Sequence, residues 1–339
     1  MTGVTGVPPS AVAVVGAGRM GRGIALSCAI AGVPVTLIDL KARSLDDATR
    51  VEREALGEVA RDLGFLVSLG LLDEAAVPVM MSRVAIRRDD AARQALVACE
   101  VIFEGLPETV DAKRTAFEWI GRNASSTTIV ASTTSTMDVN ELGKLIEHPD
   151  RFLNAHWLNP AHLMPLVEIA VGAQTSAATT QRMRAMLLGL GKVPVVCSAS
   201  PGYIVPRIQA LAMNEAARLV QEGVASAEDV DTAVRVGFGL RFAVLGLLEF
   251  IDWGGNDILY YASGHLSRTI DADRYRTPNI IETNMREGRN GLREGQGFYD
   301  YHGRDVDAYR RDRLEHFVKL VRHMNLLPPG LASDPRKPE

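Results

Sequence analysis

A strand, a glycine-rich turn and a helix in immediate succession constrain the fold of this chain most strongly. Residues 11–25 are AVAVVGAGRMGRGIA, an apolar run that breaks at Gly16, Gly18 and Gly21 and continues with a helical pattern. Gly16 permits a tight turn, Gly18 lets the backbone approach a bound group, and Gly21 lets the helix pack closely on the strand. The start of the helix offers free N–H groups and partial positive charge, so this stretch predicts a phosphate-binding turn.

A carboxylate at the end of the second predicted strand favours NAD as the bound group. The strand ends TLID, which places Asp39 where an acid can hydrogen-bond the adenosine ribose hydroxyls. An acid there also repels a 2′-phosphate, which disfavours NADP. We count Arg19 and Met20, which lie between the glycines, among the cofactor-binding residues. The alternative is that the glycines and Asp39 serve only a turn and a helix cap.

Apolar strands alternate with helical segments through the first two hundred residues. We predict strands at 11–15, 33–38, 84–86, 101–104, 128–132, 151–156, 165–170 and 192–197. Most of these runs are too uniformly apolar to have a solvated face, as in a sheet that helices cover on both sides. The pattern predicts an α/β fold with a Rossmann-type doubly wound sheet.

Long helical segments replace this alternation after residue 199, and two domains are expected at a length of 339 residues. We predict an NAD-binding Rossmann domain at 1–199, an all-α C-terminal substrate and dimerisation domain at 200–325, and a loose tail at 326–339. Within the second domain, Ser226 is the expected N-cap of a helix. The almost wholly apolar residues 238–253 indicate either deep core or a subunit interface.

Composition excludes some partners. The chain has 37 basic and 41 acidic residues, a net charge of −4, and no long run of one sign, so nucleic acid is not an expected partner. No stretch is apolar enough for a membrane span, and the N-terminus lacks a basic leader pattern. Cys28, Cys99 and Cys197 lie far apart, as expected of small core residues in a reducing compartment. These features predict a cytoplasmic protein.

One histidine lies where a catalytic group is expected. RFLNAHWLNP places His156 at the end of an apolar strand, where open sheets form ligand crevices. A strand, a turn at 159–160 and a return strand would bring Glu168 beside it, as a carboxylate that orients a base. A structural core histidine and a structural ion pair are the alternatives. His162 adds a second imidazole but no third ligand is evident, so no metal is predicted.

Several motifs in order resemble the L-3-hydroxyacyl-CoA dehydrogenase family, which includes 3-hydroxybutyryl-CoA dehydrogenases. They are VAVVGAGRMGRGIA, VIFEGLPETVDAK, ASTTST, RFLNAHWLNP with PLVEI, PGYIVPR and GLREGQGFYDY, and they span roughly residues 10–315. The resemblance implies an NAD-dependent oxidoreductase of fatty acid metabolism. Its reaction would convert an (S)-3-hydroxyacyl-CoA to the 3-ketoacyl-CoA, and its C-terminal domains would form a homodimer.

The resemblance also implies roles for individual residues. His156 would be the catalytic acid and base, Glu168 would orient it, and Ser135 would hydrogen-bond the substrate oxygen. The cofactor contacts that carry over are Asp39, Glu108, Lys113, Ser135, Asn159 and, where the family usually has lysine, Arg293.

Two departures leave the substrate open. The family pattern P-G-F-[IV]-x-N-R is PGYIVPR here, so Pro206 replaces an asparagine of the active site. The arm after the second strand, lysine-rich in the family and suited to coenzyme A phosphates, has arginines at 43, 50, 53 and 61 that acidic residues outnumber. Arg207 and Arg241 are candidates for binding a free carboxylate, and a structural or solvated arginine is the alternative for each.

A short-chain acyl-CoA is the leading substrate hypothesis. The same chemistry on a free 3-hydroxy acid or a carrier-protein thioester is the alternative within the enzyme class. An NAD(H)-binding protein without turnover, a redox sensor or an abundant structural protein, is the alternative outside it.

Overall fold

The computed structural model describes residues 6–332 of the chain, which divides into two compact units between Ala212 and Met213. The first unit is built on one eight-stranded sheet. Its strands are β1 Val12–Val15, β2 Val35–Ile38, β3 Val84–Arg87, β4 Val101–Glu104, β5 Ile129–Ser132, β6 Phe152–Trp157, β7 Leu166–Val171 and β8 Val193–Ser198. They lie in the order β3-β2-β1-β4-β5-β6-β7-β8. The predicted Rossmann-type fold and all eight predicted strands are confirmed.

Helices connect these strands. They are α1 Arg19–Ile30, α2 Leu45–Ser68, α3 Val77–Met81, α4 Asp89–Ala98, α5 Val110–Asn123, α6 Val139–Gly143 and α7 Ala177–Gly189. The helix α8, Val205–Gln221, begins in the first unit and crosses the division into the second.

Both faces of the sheet are buried, which explains its uniformly apolar strands. In β1, Val12 and Val14 belong to one core cluster, whereas Ala13 and Val15 belong to the cluster on the opposite face. The pairing is parallel from β3 through β6, so these strands end at one edge. There Val15, Glu104 and Ser132 are in register, and the loops that follow them open side by side.

The second unit is helical. It contains α9 Ala227–Ala233, a π-helical turn Val234–Phe238, α10 Gly239–Val244, α11 Leu247–Gly254, α12 Asn256–Thr269, α13 Ala272–Tyr275, α14 Asn279–Arg286, α15 Val306–His323 and α16 Pro329–Ala332. Ser226 caps α9 as predicted, because its side chain accepts a hydrogen bond from the Asp229 N–H. Of the predicted tail, α16 is helical and 333–339 lie outside the described residues. Among the described helices, none combines the length and the apolar character that crossing a membrane requires.

Candidate active site

The glycine turn after β1 has the geometry of a phosphate cradle. Gly16 has φ +114°, a conformation that favours glycine, and a Cβ there would lie 2.9 Å from the Gly105 carbonyl oxygen. A Cβ on Gly21 would lie 2.0 Å from the Gly16 carbonyl oxygen. A Cβ on Gly18, by contrast, would meet nothing within 4 Å among the described residues, so open space lies against this backbone. The residues present therefore fit the pyrophosphate of a dinucleotide at the N-terminus of α1.

A groove of about 760 Å³ extends from this turn to the end of β2. It is lined by Gly18, Asp39 and Arg43, among others. The Asp39 carboxylate accepts a hydrogen bond from the Arg43 guanidinium at 2.6 Å, Nε to Oδ2. Asp39 thus lies where the ribose of NAD was expected, with a basic neighbour that the sequence analysis did not pair with it.

A second groove of about 490 Å³ shares Gly105 and Leu106 with the first, so the two adjoin. Its lining includes seven residues of the predicted site: Arg19, Met20, Glu108, Ser135, His156, Asn159 and Pro206. It also includes Gln209, one turn after Pro206 on α8, which the sequence analysis missed. Helical spacing from Pro206 was the signal that could have found it.

His156 and Glu168 lie directly opposite each other on the antiparallel strands β6 and β7. The His156 Nδ1 is 2.8 Å from the Glu168 Oε2, as the predicted strand, turn and return strand require. Glu168 is 1% exposed, and its Oε1 accepts hydrogen bonds from the N–H groups of Ile204 and Val205 at 3.0 and 2.9 Å. Because Nδ1 is engaged, Nε2 is the imidazole nitrogen left for the groove.

The loop after β5 is held by Glu108. One carboxylate oxygen accepts hydrogen bonds from the Ser135 N–H at 2.8 Å and the Ser135 hydroxyl at 3.1 Å, and the other accepts the Thr134 hydroxyl. Burial opposes ionisation of Glu108, but these hydrogen bonds outweigh it and hold the pKa of the carboxyl below its ordinary value. Glu108 is therefore ionised at neutral pH and fixes Ser135 at the edge of the groove.

Lys113, an expected cofactor contact, is buried beneath the loop that follows β4. It is 1% exposed, and its Nζ donates to both oxygens of Glu104, at 3.0 and 2.7 Å, and to the Leu106 carbonyl at 3.1 Å. Glu104, at the buried end of β4, thereby has the cationic partner that a buried carboxylate needs. Lys113 supports the loop shared by the two grooves.

Besides Arg19, the predicted site contains three arginines, and each of them contacts neighbouring protein groups. Arg207 donates to the Ser200 hydroxyl and the Pro201 carbonyl, so it ties down the turn before α8 and is not among the residues that line the groove. In the second unit, Arg241 lies over the Phe250 ring at 5.7 Å, and Arg293 donates to Asp257 at 2.9 Å. None of these contacts was visible in sequence, because each depends on a partner brought near by folding.

Two buried polar residues near the site were also missed. Tyr203 is stacked on the His156 ring, with centroids 5.3 Å apart and 29° between the planes. Lys192 donates to the carbonyls of Ala161 and Met164, at 2.6 and 3.1 Å, and so holds the turn that carries Asn159. Burial lowers the pKa of Lys192. Among the described residues, no group of three His, Cys, Asp or Glu side chains could hold a metal ion.

Comparison with known families gives a match over nearly the whole chain. Residues 11–200 match the model of the 3-hydroxyacyl-CoA dehydrogenase NAD-binding domain, and residues 202–301 match the model of the 3-hydroxyacyl-CoA dehydrogenase C-terminal domain.

Three relatives illustrate the range of similar proteins. The chain is 32% identical to a probable 3-hydroxybutyryl-CoA dehydrogenase of Deinococcus radiodurans, over 85% of this chain and 99% of the relative. It is 28% identical to 5-formyl-3-hydroxy-2-methylpyridine 4-carboxylate 5-dehydrogenase of Mesorhizobium japonicum, over 92% and 97% respectively. A crystal structure of a 3-hydroxyacyl-CoA dehydrogenase from Archaeoglobus fulgidus superposes with a TM-score of 0.74 at 29% identity, covering 94% of this chain and 100% of that one.

Proposed function

The chain belongs to the 3-hydroxyacyl-CoA dehydrogenase family of NAD-dependent oxidoreductases, and we propose that it oxidises a short-chain (S)-3-hydroxyacyl-CoA to the 3-ketoacyl-CoA. The observation that carries this proposal is the hydrogen-bonded pair of His156 and Glu168, in a groove that Ser135 also lines. A protein that only bound NAD(H) would have no need of an oriented base beside the cofactor groove.

We assign the chemistry to three side chains. The Nε2 of His156 would remove the hydroxyl proton, and Glu168 would stabilise the imidazolium that results. Ser135, fixed by Glu108, would hydrogen-bond the substrate oxygen. When bound, NAD⁺ supplies the acceptor for the hydride that leaves the carbon bearing the hydroxyl.

A free hydroxy acid is the second candidate substrate. The relative from Mesorhizobium japonicum is named for a pyridine carboxylate, which is not a thioester. Two arginines of the α2 segment are paired with acids on the same helix, Arg50 with Asp47 and Glu54, and Arg61 with Glu58. Such pairing lowers the attraction of this segment for the phosphates of coenzyme A. A carrier-protein thioester is a further substrate of the same chemistry.

A steady-state assay separates these candidates. We expect NADH to be oxidised with acetoacetyl-CoA at a far higher kcat/KM than with free acetoacetate, and His156→Ala to abolish both reactions. Reduction of free 3-oxo acids alone would support the second candidate. Tight NADH binding with no hydride exchange on thioesters or free acids would contradict both and leave the non-catalytic alternative.

We further propose that the second unit pairs with another copy of this chain. The apolar residues 238–253 were expected to be either core or interface, and Phe238 and Leu248 are 47% and 46% exposed. Exposed apolar side chains in one segment are typical of an interface. In sedimentation at micromolar concentration we expect a dimer for the wild type and for Ile270→Asp, an exposed site outside the segment, and a monomer for Phe238→Asp. A monomeric wild type would contradict the proposal.

The domain assignment and the location remain proposals. We assign NAD binding to residues 1–199 and substrate binding with dimerisation to 200–325. The two family matches meet between residues 200 and 202, which supports this boundary, whereas the compact units divide between Ala212 and Met213. The cytoplasmic location and the role in fatty acid metabolism stay predictions. All three cysteines are unpaired, which agrees with a reducing compartment.

A further inference from the structure

Tyr203 occupies a conformation that side chains rarely adopt. It follows Gly202 at the turn before α8, and its φ is +46°, while that of Gly202 is +74°. A left-handed conformation is common for glycine but unfavourable for a tyrosine, and it persists only where surrounding contacts hold it. Tyr203 is 6% exposed, so those contacts are made inside the protein.

The ring of Tyr203 contacts the catalytic pair. It lies against the His156 imidazole, with centroids 5.3 Å apart, while Glu168 binds Nδ1 of the same imidazole. A hydrogen bond at one nitrogen fixes the position of that atom but leaves the ring free to tilt about it. The stacked phenol ring restricts this tilt, so the direction of Nε2 depends on both neighbours.

The hydroxyl of Tyr203 contacts the loop that carries Ser135. It donates to the Thr134 carbonyl at 2.9 Å and accepts from the Asn154 amide at 3.0 Å. Burial raises the pKa of this hydroxyl well above its ordinary value, so it keeps its proton. One side chain therefore touches the imidazole through its ring and the loop before Ser135 through its hydroxyl.

We propose that Tyr203 is a positioning residue that couples the orientation of the His156 imidazole to the position of the Ser135 loop. This inference rests on the proposed function of His156 and Ser135. The ring and the hydroxyl make separate contributions, because they contact different parts of the site. Substitutions can therefore separate the two.

Two variants test the two contributions by kinetics. Tyr203→Phe keeps the ring and loses both hydrogen bonds of the hydroxyl. We expect kcat to fall about 3- to 10-fold, the range for loss of the one bond that reaches the Ser135 loop, with KM for NADH unchanged. Tyr203→Leu loses the stack as well, and we expect kcat to fall about 100-fold, as misplaced catalytic groups produce. The matched control is Tyr301→Phe in the second unit, where a buried tyrosine also loses a hydroxyl bond, to Asp252 at 3.2 Å. We expect wild-type kcat from the control.

A second readout does not require turnover. In ¹H–¹⁵N spectra of the histidine side chains, we expect the His156 resonances to be unchanged in Tyr203→Phe and shifted in Tyr203→Leu. Wild-type kcat in both variants, or an unshifted His156 in Tyr203→Leu, would overturn the proposal. Equal losses of kcat and NADH affinity, with a lowered melting temperature, would mean a structural role only and would also overturn it. An inactive wild type with the expected His156 shifts would instead contradict the proposed function alone.

Discussion

At the scale of single residues, Glu168 shows how one buried carboxylate can be stable and useful. Burial of an unpaired carboxylate is costly, yet both of its oxygens have partners here. One oxygen binds the His156 imidazole, and the other accepts two N–H groups at the start of α8. With the Glu168 Oε2 as the acceptor of the first of these hydrogen bonds, Nδ1 of His156 is the protonated nitrogen. That tautomer leaves Nε2 as the base.

Glu168→Gln tests this tautomer argument. The amide can still accept from the α8 N–H groups through its oxygen, but its NH₂ group then faces Nδ1 and favours the wrong tautomer. We expect kcat to fall by about 10²- to 10⁴-fold, the usual contribution of general base catalysis, while the Kd for NADH stays the same. Stopped-flow kinetics and fluorescence titration measure the two quantities. A kcat within twofold of the wild type would contradict the assigned role.

Glu108 predicts a pH dependence of stability. Its folded pKa lies below the ordinary value of 4.5 because hydrogen bonds from Thr134 and Ser135 outweigh the effect of burial. A lowered pKa contributes stability that is fully present above pH 4.5 and is lost as the pH falls through the folded value. Thr134→Val removes one of these hydrogen bonds. We therefore expect its destabilisation, measured by urea unfolding, to be larger at pH 6 than at pH 3.5.

The matched control is Thr136→Val on the same loop, whose hydroxyl makes no hydrogen bond to the described residues. The free energy of unfolding of this variant should differ from that of the wild type by the same small amount at pH 6 and at pH 3.5. A pH-independent effect of Thr134→Val would contradict the argument.

At the scale of secondary-structure elements, we expect the end of β2 to select NAD over NADP. Asp39 lies in the cofactor groove beside Arg43 and Lys41, two cations that could bind a 2′-phosphate if the carboxylate were absent. In Asp39→Ser we expect kcat/KM to fall about tenfold for NADH, because one charged hydrogen bond to the ribose is lost. For NADPH we expect it to rise about tenfold, because one charged hydrogen bond to the 2′-phosphate is gained. Asp46→Ser, in the first turn of α2, should leave both values unchanged. Loss of NADH use without any gain for NADPH would contradict the role of the two cations.

The glycine-containing motif GLREGQGFYDY packs against the C-terminal end of α11. Asp252 is 1% exposed and accepts hydrogen bonds from the N–H groups of Phe298 and Tyr299 and from the Tyr301 hydroxyl. The loop of residues 291–301 thus wraps around this carboxylate. A Cβ on Gly297 would lie 2.1 Å from the Asp252 Oδ1, so no larger residue fits. The motif GLREGQGFYDY is therefore explained by a buried carboxylate and its close backbone donors.

Gly297→Ala tests this packing. Because backbone and carboxylate must both move, we expect the free energy of unfolding to fall by about 1–3 kcal/mol, as in overpacked cores. Gly237→Ala is the control, since a Cβ there meets nothing within 4 Å among the described residues. Chemical denaturation of both variants measures the difference. Equal stability of the two would contradict the proposed close fit.

At the scale of the whole molecule, we expect cofactor binding and catalysis to be separable. Under the proposed function, the glycine turn and Asp39 bind the cofactor, whereas His156 and Glu168 carry out the proton transfer. A ligand that binds only the folded state stabilises it by mass action, by about 2.7 kcal/mol at a hundred times Kd. We expect NADH to raise the melting temperature of the wild type and of His156→Ala by the same amount. Scanning calorimetry measures this, and a smaller rise in His156→Ala would place the histidine in the cofactor site.

The sequence by itself determined the architecture and the identity of the central groups. Local pattern sufficed for the eight strands and the glycine turn, because strand burial and backbone conformation are recorded in neighbouring residues. Asp39 and the pair of His156 and Glu168 were predictable for a similar reason, since strand order and a single turn bring them into place.

Only the tertiary structure decided how the remaining side chains are used. It placed Tyr203 on the imidazole, buried Lys113 under Glu104, and tied Arg207 to the turn before α8. The partners of Tyr203 and Lys113 lie on other strands and loops, and the contact of Arg207 requires a turn of defined shape. Residue spacing records the direction of a backbone segment but not the rotamer of a long side chain or the neighbour that folding brings within 3 Å of it.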